Sequence, residues 1–270
     1  MMKTIMRFSI VVQLVIVMII FTMCSTSTEP ESKDWQLIWQ DEFDGSASQL
    51  PDTTRWGFDI GSGWGNNQLE YDTGRMENVS LDGNGNLAIV ARKESYLGFS
   101  YTSARINTRG LFEQAYGRFE ARIRLPWGQG IWPAFWMLGA NEADVGWPAC
   151  GEIDIMEYRG QEPFRVHGSV HGPGYSGTKP ITDHYDLYND RFDMYFHIFA
   201  VEWGMDDIKW YVDEILYQTI TPGDVTGPWV FDHPFYIILN LAVGGNYVGP
   251  PDASTVFPQT MLIDYVRVYK

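Results

Sequence analysis

The 270-residue chain carries 19 Lys+Arg against 34 Asp+Glu, a formal charge of −15, with 45% hydrophobic and 20% charged residues. That balance excludes wholesale disorder, and the acidity argues against a nucleic-acid or polyanion binder, whose affinity needs a basic footprint. The 11 Trp, 15 Tyr and 15 Phe demand either a large core or a surface on which rings stack against a ligand.

The N-terminus reads as an address. Lys3 and Arg7 are the only charges before Glu29, and residues 8–23 are nearly all apolar. A positive start and an apolar run make a secretory signal over 1–23, with a retained membrane span as the rival reading. Cys24 follows, ahead of a polar stretch. A Cys there resembles the lipid-attachment Cys of a bacterial lipoprotein, yet Phe21, Thr22 and Met23 depart from the small residues usual before it. An ordinary signal peptide cut nearby fits equally. Residues 24–33 read as a tether and 34–270 as one domain, secreted or periplasmic, or lipid-anchored at the cell surface, and monomeric. Removing 1–23 takes away two positive charges and no negative ones, so −15 − 2 leaves −17. Cys24 and Cys150 are the only cysteines, so no structural disulfide is expected, although the compartment would permit one.

Along the body, period-2 segments recur between turn signals. Strands are expected over 87–92, 101–108, 117–125, 152–158, 165–171, 196–203, 208–212, 236–242 and 261–269. Residues 82–86 (DGNGN) form a turn cluster, because Gly and Asn accept positive φ. Asp213-Glu214 reads as a hairpin turn. No stretch sustains a 3.6-residue apolar period. The pattern predicts an all-β fold, a β-sandwich or jelly roll of two antiparallel sheets.

Residues 151–158 (GEIDIMEY) carry the chemistry. Alternation puts Glu152 and Asp154 on one sheet face and Ile153 and Ile155 on the other; buried Ile would pin that register. Glu157 falls out of phase, and a β-bulge near Met156 would return it to the acidic face. Three acids on one face repel each other, which suits a glycosidase. One carboxylate attacks the anomeric carbon and another protonates the leaving oxygen, ~5–5.5 Å apart in a retaining enzyme. Over four effective steps of ~3.3 Å the two Glu Cα atoms lie about 13 Å apart, a gap that long side chains over a concave sheet largely close. Asp154 suits the middle, hydrogen-bonding Glu152. Crowding and burial should raise the pKa of Glu157 and keep it protonated. A solvated polar strand face is the bland alternative. The aromatic surroundings weigh against it: Trp132 and Trp136 share a face if their segment is extended, Trp147 precedes the acidic strand, and flat rings suit sugar faces. His167, Ser169 and His171 share a face on the next strand, and neither His has a third ligand at metal-site spacing.

These residues sit in a longer set of motifs: 39–45 (WQDEFDG), 64–71 (WGNNQLEY), 103–110 (SARINTRG), 132–138 (WPAFWML), 151–158, 167–175 (HGSVHGPGY), 238–245 (ILNLAVGG) and 263–269 (IDYVRVY). Together they resemble glycoside hydrolase family 16, and within it the bacterial laminarinase-type endo-β-1,3-glucanases. The resemblance implies a concanavalin-like jelly roll with a concave substrate cleft. It also implies retaining hydrolysis of β-glucan with no catalytic cofactor. Glu152 matches the nucleophile, Asp154 its helper, Glu157 the acid/base, and Met156 the extra residue of the bulged site. Trp132, Trp136 and His171 match cleft positions, as do Asn66, Arg105 and Asn240 in substrate binding. The resemblance further implies a structural Ca²⁺ held by Glu42, Asp264 and a carbonyl near Gly83, oxygen ligands that suit a hard cation. Mixed-linkage β-1,3-1,4-glucan or an agar-type galactan are alternative substrates. A non-catalytic glucan-binding protein is the alternative class; such proteins typically lose the acids that this chain keeps.

Overall fold

The alternating segments become seventeen strands among the described residues, 34–270, of a computed structural model. The signal at 1–23, Cys24 and the tether at 24–33 lie outside the described residues. In chain order the strands are β1 (Leu37–Asp41), β2 (Gly57–Asp59), β3 (Glu70–Asp72), β4 (Val79–Leu81), β5 (Leu87–Tyr96), β6 (Phe99–Ser103), β7 (Arg105–Asn107), β8 (Gly117–Arg124) and β9 (Ile131–Gly139). After one helical turn, α1 (Glu142–Val145), come β10 (Glu152–Tyr158), β11 (Arg165–His171), β12 (Ile181–Asp186), β13 (His197–Trp203), β14 (Ile208–Val212), β15 (Ile215–Ile220), β16 (Phe235–Val243) and β17 (Gln259–Tyr269).

Ten strands form one sheet, ordered β15-β14-β13-β8-β17-β5-β6-β3, with β1 beside β17 and β4 beside β5. Seven form the other, ordered β12-β11-β10-β9-β16-β7-β2. The pairing departs from a wholly antiparallel sandwich at one place: β3 runs parallel to β6. The chain reverses through β4 and β5 between them, so β6 returns in the direction of β3.

The sheets pack through one shared core. Phe135, Met137, Ile153, Ile155, Ile237, Leu239 and Leu241 from the seven-stranded sheet meet Phe119, Ile123, Phe199, Val201, Ile263 and Val266 from the other. Burying each such side chain contributes roughly 1.5–3 kcal/mol. A one-residue slip of β10 would expose Ile153 and Ile155, so the register of the acids is set from beneath. Trp56, Trp203 and Trp210 belong to this core, which absorbs part of the aromatic excess. Trp132 and Trp136 instead lie on the opposite face of the seven-stranded sheet.

The 101–108 segment is two strands. It crosses from one sheet to the other at Ala104, where Ser103 Oγ donates to the Leu241 carbonyl at 2.6 Å. Residues 102–104 and 106–108 are all buried, so alternation could not mark the crossing. The same cause hides β9, which is apolar on both faces. The remaining unforeseen strands, β1 to β4 and β12, have only three to six residues.

Candidate active site

β10 lies between β11 and β9, and its register carries the acids across a bulge. Glu152 pairs with His171 and Leu138, Asp154 with Ser169 and Trp136, and Glu157 with His167 and Ala134. Five positions along β10 therefore span four on each neighbour. The extra residue sends Ile155 and Met156, consecutive in sequence, into the core together. All three carboxylates reach the face away from the core. The Trp210 indole N–H donates to the Asp154 carbonyl at 2.8 Å, satisfying backbone that the bulge frees. Gly168 makes room for that ring: a Cβ there would lie 2.4 Å from Trp210 Cδ1.

The acids have defined partners. Trp147 Nε1 donates to Glu152 Oε2 at 2.8 Å, and Trp132 Nε1 donates to Glu157 Oε1 at 3.0 Å. Asp154 is hydrogen-bonded to Glu152. His171 Nε2 lies 3.2 Å from Asp154 Oδ2 and 3.6 Å from Glu152 Oε1. Its Nδ1 accepts from the Gly177 N–H at 3.2 Å, which assigns the ring proton to Nε2, facing the acids. Glu152, Asp154 and His171 offer donor atoms within 4.8 Å of one another. His171 Nε2 faces both acids, and Asp154 Oδ2 itself has no hydrogen-bond partner.

Burial pushes all three carboxyls up to about 8, and for Glu152 and Glu157 the charge of Asp154 adds to it. The sequence singles out Glu157 alone for such a shift. In the fold all three lie under the same cover, so they titrate as a set. Glu152 faces the Trp147 N–H and Asp154, with His171 Nε2 3.6 Å from its Oε1. Glu157 has the Trp132 N–H alone among these donors.

The register also builds a cleft floor across seven strands. One row runs His184, His167, Glu157, Ala134, Asn240, Arg105, Asp59, from β12 to β2. The adjacent row runs Thr182, Ser169, Asp154, Trp136, Ile238, Asn107, Gly57. Trp136 Nε1 donates to Asn240 Oδ1 at 2.8 Å. The Arg105 guanidinium pairs with Asp59 at 2.9 Å and lies against both Trp136 and Trp64, 4.8 Å and 5.1 Å from their ring centroids. Arg105, Trp132, Trp136, His171 and Asn240 thus share the face that carries the acids. Asn66 stands on a loop at its margin, where its carbonyl accepts from the Asn246 N–H at 2.7 Å. That loop rests on Gly245, whose φ is +100 and whose Cβ would meet the Asn66 carbonyl at 2.9 Å.

The contacts of two residues of the face escape a sequence reading. Trp64 is one motif residue among many until Arg105 lies beneath it. Trp147 shows only its nearness to the acidic strand, not its N–H on Glu152.

The expected calcium ligands are arranged differently. Both Glu42 oxygens accept from Arg267, at 2.7 and 2.8 Å, and Asp264 pairs with Arg122. Gly83 lies in the 82–86 turn, its Cα face against Ala47. Two carboxylates committed to separate guanidiniums do not fit a shared carboxylate shell for a cation. No step of the chemistry passes through that region.

Comparison with known proteins agrees with the geometry. The model of the family "Glycosyl hydrolases family 16" matches residues 62–267. The chain is 42% identical over 260 residues to a beta-glucanase of Rhodothermus marinus, covering 92% of this chain and 90% of that protein. It superposes on the catalytic domain of an endo-1,3-beta-glucanase (laminarinase) from Thermotoga petrophila RKU-1 with a TM-score of 0.83 at 49% identity, covering 88% of this chain and 98% of that one. An endo-beta-1,3-glucanase from Pyrococcus furiosus gives a TM-score of 0.82 at 50% identity, covering 87% and 94%.

Proposed function

The chain belongs to glycosyl hydrolases family 16, and from that premise we propose that it is a retaining endo-β-1,3-glucanase acting on laminarin-type glucan. The observation that carries the reading is the bulged β10, which gathers Glu152, Asp154 and Glu157 on one face among Trp132, Trp136 and His171.

In the first step a Glu152 oxygen bonds to the anomeric carbon as the glycosidic C–O bond breaks. The Glu157 proton passes to the leaving oxygen, giving a glycosyl-enzyme, a freed sugar hydroxyl and a Glu157 carboxylate. The Trp132 N–H on Glu157 strengthens as that charge forms. In the second step water bonds to the anomeric carbon, gives its proton to Glu157 and releases Glu152. Two displacements restore the original configuration. Asp154 and His171 hold Glu152 in place and keep the surrounding charge low. The indole faces supply apolar contact for sugar C–H groups.

Incubation of the purified protein with laminarin, lichenan, agarose and carrageenan tests the reading. Release of oligosaccharides of several lengths, fastest from laminarin, is the expected result. Preference for another polymer would move the substrate and keep the mechanism. Inertness toward all four by folded protein would return the non-catalytic binder. Export through the 1–23 signal belongs to the same reading; the N-terminal mass of protein recovered from its host distinguishes cleavage with a lipid on Cys24 from cleavage without one.

A further inference from the structure

We infer that Asp72 is a positioning residue for glucan binding: from beneath the cleft it holds the Trp64 indole against Arg105 as the wall of a remote part of the site. This rests on the glucanase reading above. β3 places Glu70 and Asp72 on one face, each 2% exposed. Glu70 accepts the Val243 N–H at 2.8 Å. The Leu69 N–H donates to the Val243 carbonyl, also at 2.8 Å, so the end of the loop is fastened to β16. Gly61 and Asp72 exchange backbone hydrogen bonds at 3.0 and 2.7 Å, closing the loop between them. Within that closed loop, Trp64 Nε1 donates to Asp72 Oδ2 at 2.8 Å. Asp72 Oδ1 is buried with no hydrogen-bond partner.

A buried carboxyl with an idle oxygen costs stability. What its other oxygen does is fix the indole. Burial and the neighbouring Glu70 push the Asp72 carboxyl well above the usual range, and the oxygen that accepts from Trp64 is one that an amide oxygen can imitate. Trp64 is 36% exposed, with the Arg105 guanidinium against its ring. Arg105 shares the cross-strand row of Glu157, three strands away, about 14 Å at ~4.8 Å per strand. A ring there meets sugars several units from the bond being cut. Such remote contacts supply binding energy that short substrates cannot use.

The test measures kcat/KM on β-1,3-gluco-oligosaccharides of rising length for wild type, Trp64→Phe, Asp72→Leu, Asp72→Asn and the Trp64→Phe/Asp72→Leu double variant. Trp64→Phe keeps an aromatic face and loses the N–H. It and Asp72→Leu should each lower kcat/KM about fivefold on long chains, the scale of one hydrogen bond, and leave the shortest cleaved substrate near wild type. The double variant should be no worse than Asp72→Leu, since both remove one interaction, and Asp72→Asn should behave as wild type. Losses equal at every length, additive losses, or an Asp72→Asn as impaired as Asp72→Leu would overturn the inference. If Asp72→Leu does not fold, an unimpaired Trp64→Phe on long chains overturns it alone. A wild type that cleaves none of the series overturns the glucanase reading instead.

Discussion

Trp210, a core residue of β14, donates its indole N–H to the Asp154 carbonyl at 2.8 Å, reaching from one sheet to the middle acid of the other. The bulge that aligns the three carboxylates is thereby fixed from the core side, while solvent and substrate meet only its far face. Gly168 on β11 is the clearance through which the ring passes.

Gly168→Ala should therefore damage the site from below. Its methyl meets Trp210, and overpacking of this kind costs about 1–3 kcal/mol. Trp210→Phe strands the Asp154 carbonyl at a comparable cost of about 1–3 kcal/mol. Urea denaturation should show both losses, and both variants should lose activity beyond what reduced folding explains. Unchanged midpoints would mean that the bulge holds itself.

Glu152→Gln and Glu157→Gln should each stay folded and lose most turnover on laminarin. For the acid/base alone the loss should be ~10²–10⁴-fold, and removal of the nucleophile should cost more. Near-normal rates in either variant, with an unaltered melting temperature, would reverse the role assignment.

Trp132→Phe keeps a ring beside Tyr247 and removes the N–H on Glu157. That N–H supports the Glu157 carboxylate as it forms, so kcat should fall by tenfold or more, the range of about 1.5–3 kcal/mol for a bond to a charged group. The same N–H lowers the Glu157 pKa. Its removal should move the alkaline limb of the pH–rate profile to higher pH. A limb that stays in place would place the titration elsewhere.

The pH dependence of stability has a definite sign. Glu152 and Glu157 rise from 4.5, and Asp154 from 3.8, to about 8. Between about 4 and 8 the folded site keeps protons that the unfolded chain has released. The contribution of these groups is therefore complete below the lower values and is lost as pH rises toward about 8. Melting curves of wild type and Asp154→Asn across that range should diverge, the variant losing less with rising pH. Asp154 charge raises both Glu152 and Glu157, so the activity optimum of the variant should also shift toward acid. Parallel melting curves would mean that the acids are better solvated than their burial implies.

The acidic strand was legible because its chemistry is local. Alternation assigned Glu152 and Asp154 to one face, buried Ile153 and Ile155 to the other, and required a bulge at Met156 to recover Glu157. Period-2 segments between turn signals extended that reading to the all-β sandwich, and the family motifs extended it to most of the cleft face. Strands buried on both sides, such as β9, and the crossing at Ala104 left no periodicity to read.

What the amino-acid sequence determined by itself was the placement of three carboxylates on one face and their spacing along one strand, since side-chain direction in a strand follows a fixed two-residue repeat. Only the tertiary structure decided what surrounds them. The shared burial that raises three carboxyls instead of one, the Trp132 donor, and the seat of Trp64 on Arg105 come from segments distant in sequence. So do the arginines that occupy Glu42 and Asp264. Solvent exclusion and hydrogen-bond partners depend on which strands become neighbours, and that is set by the packing of the whole core.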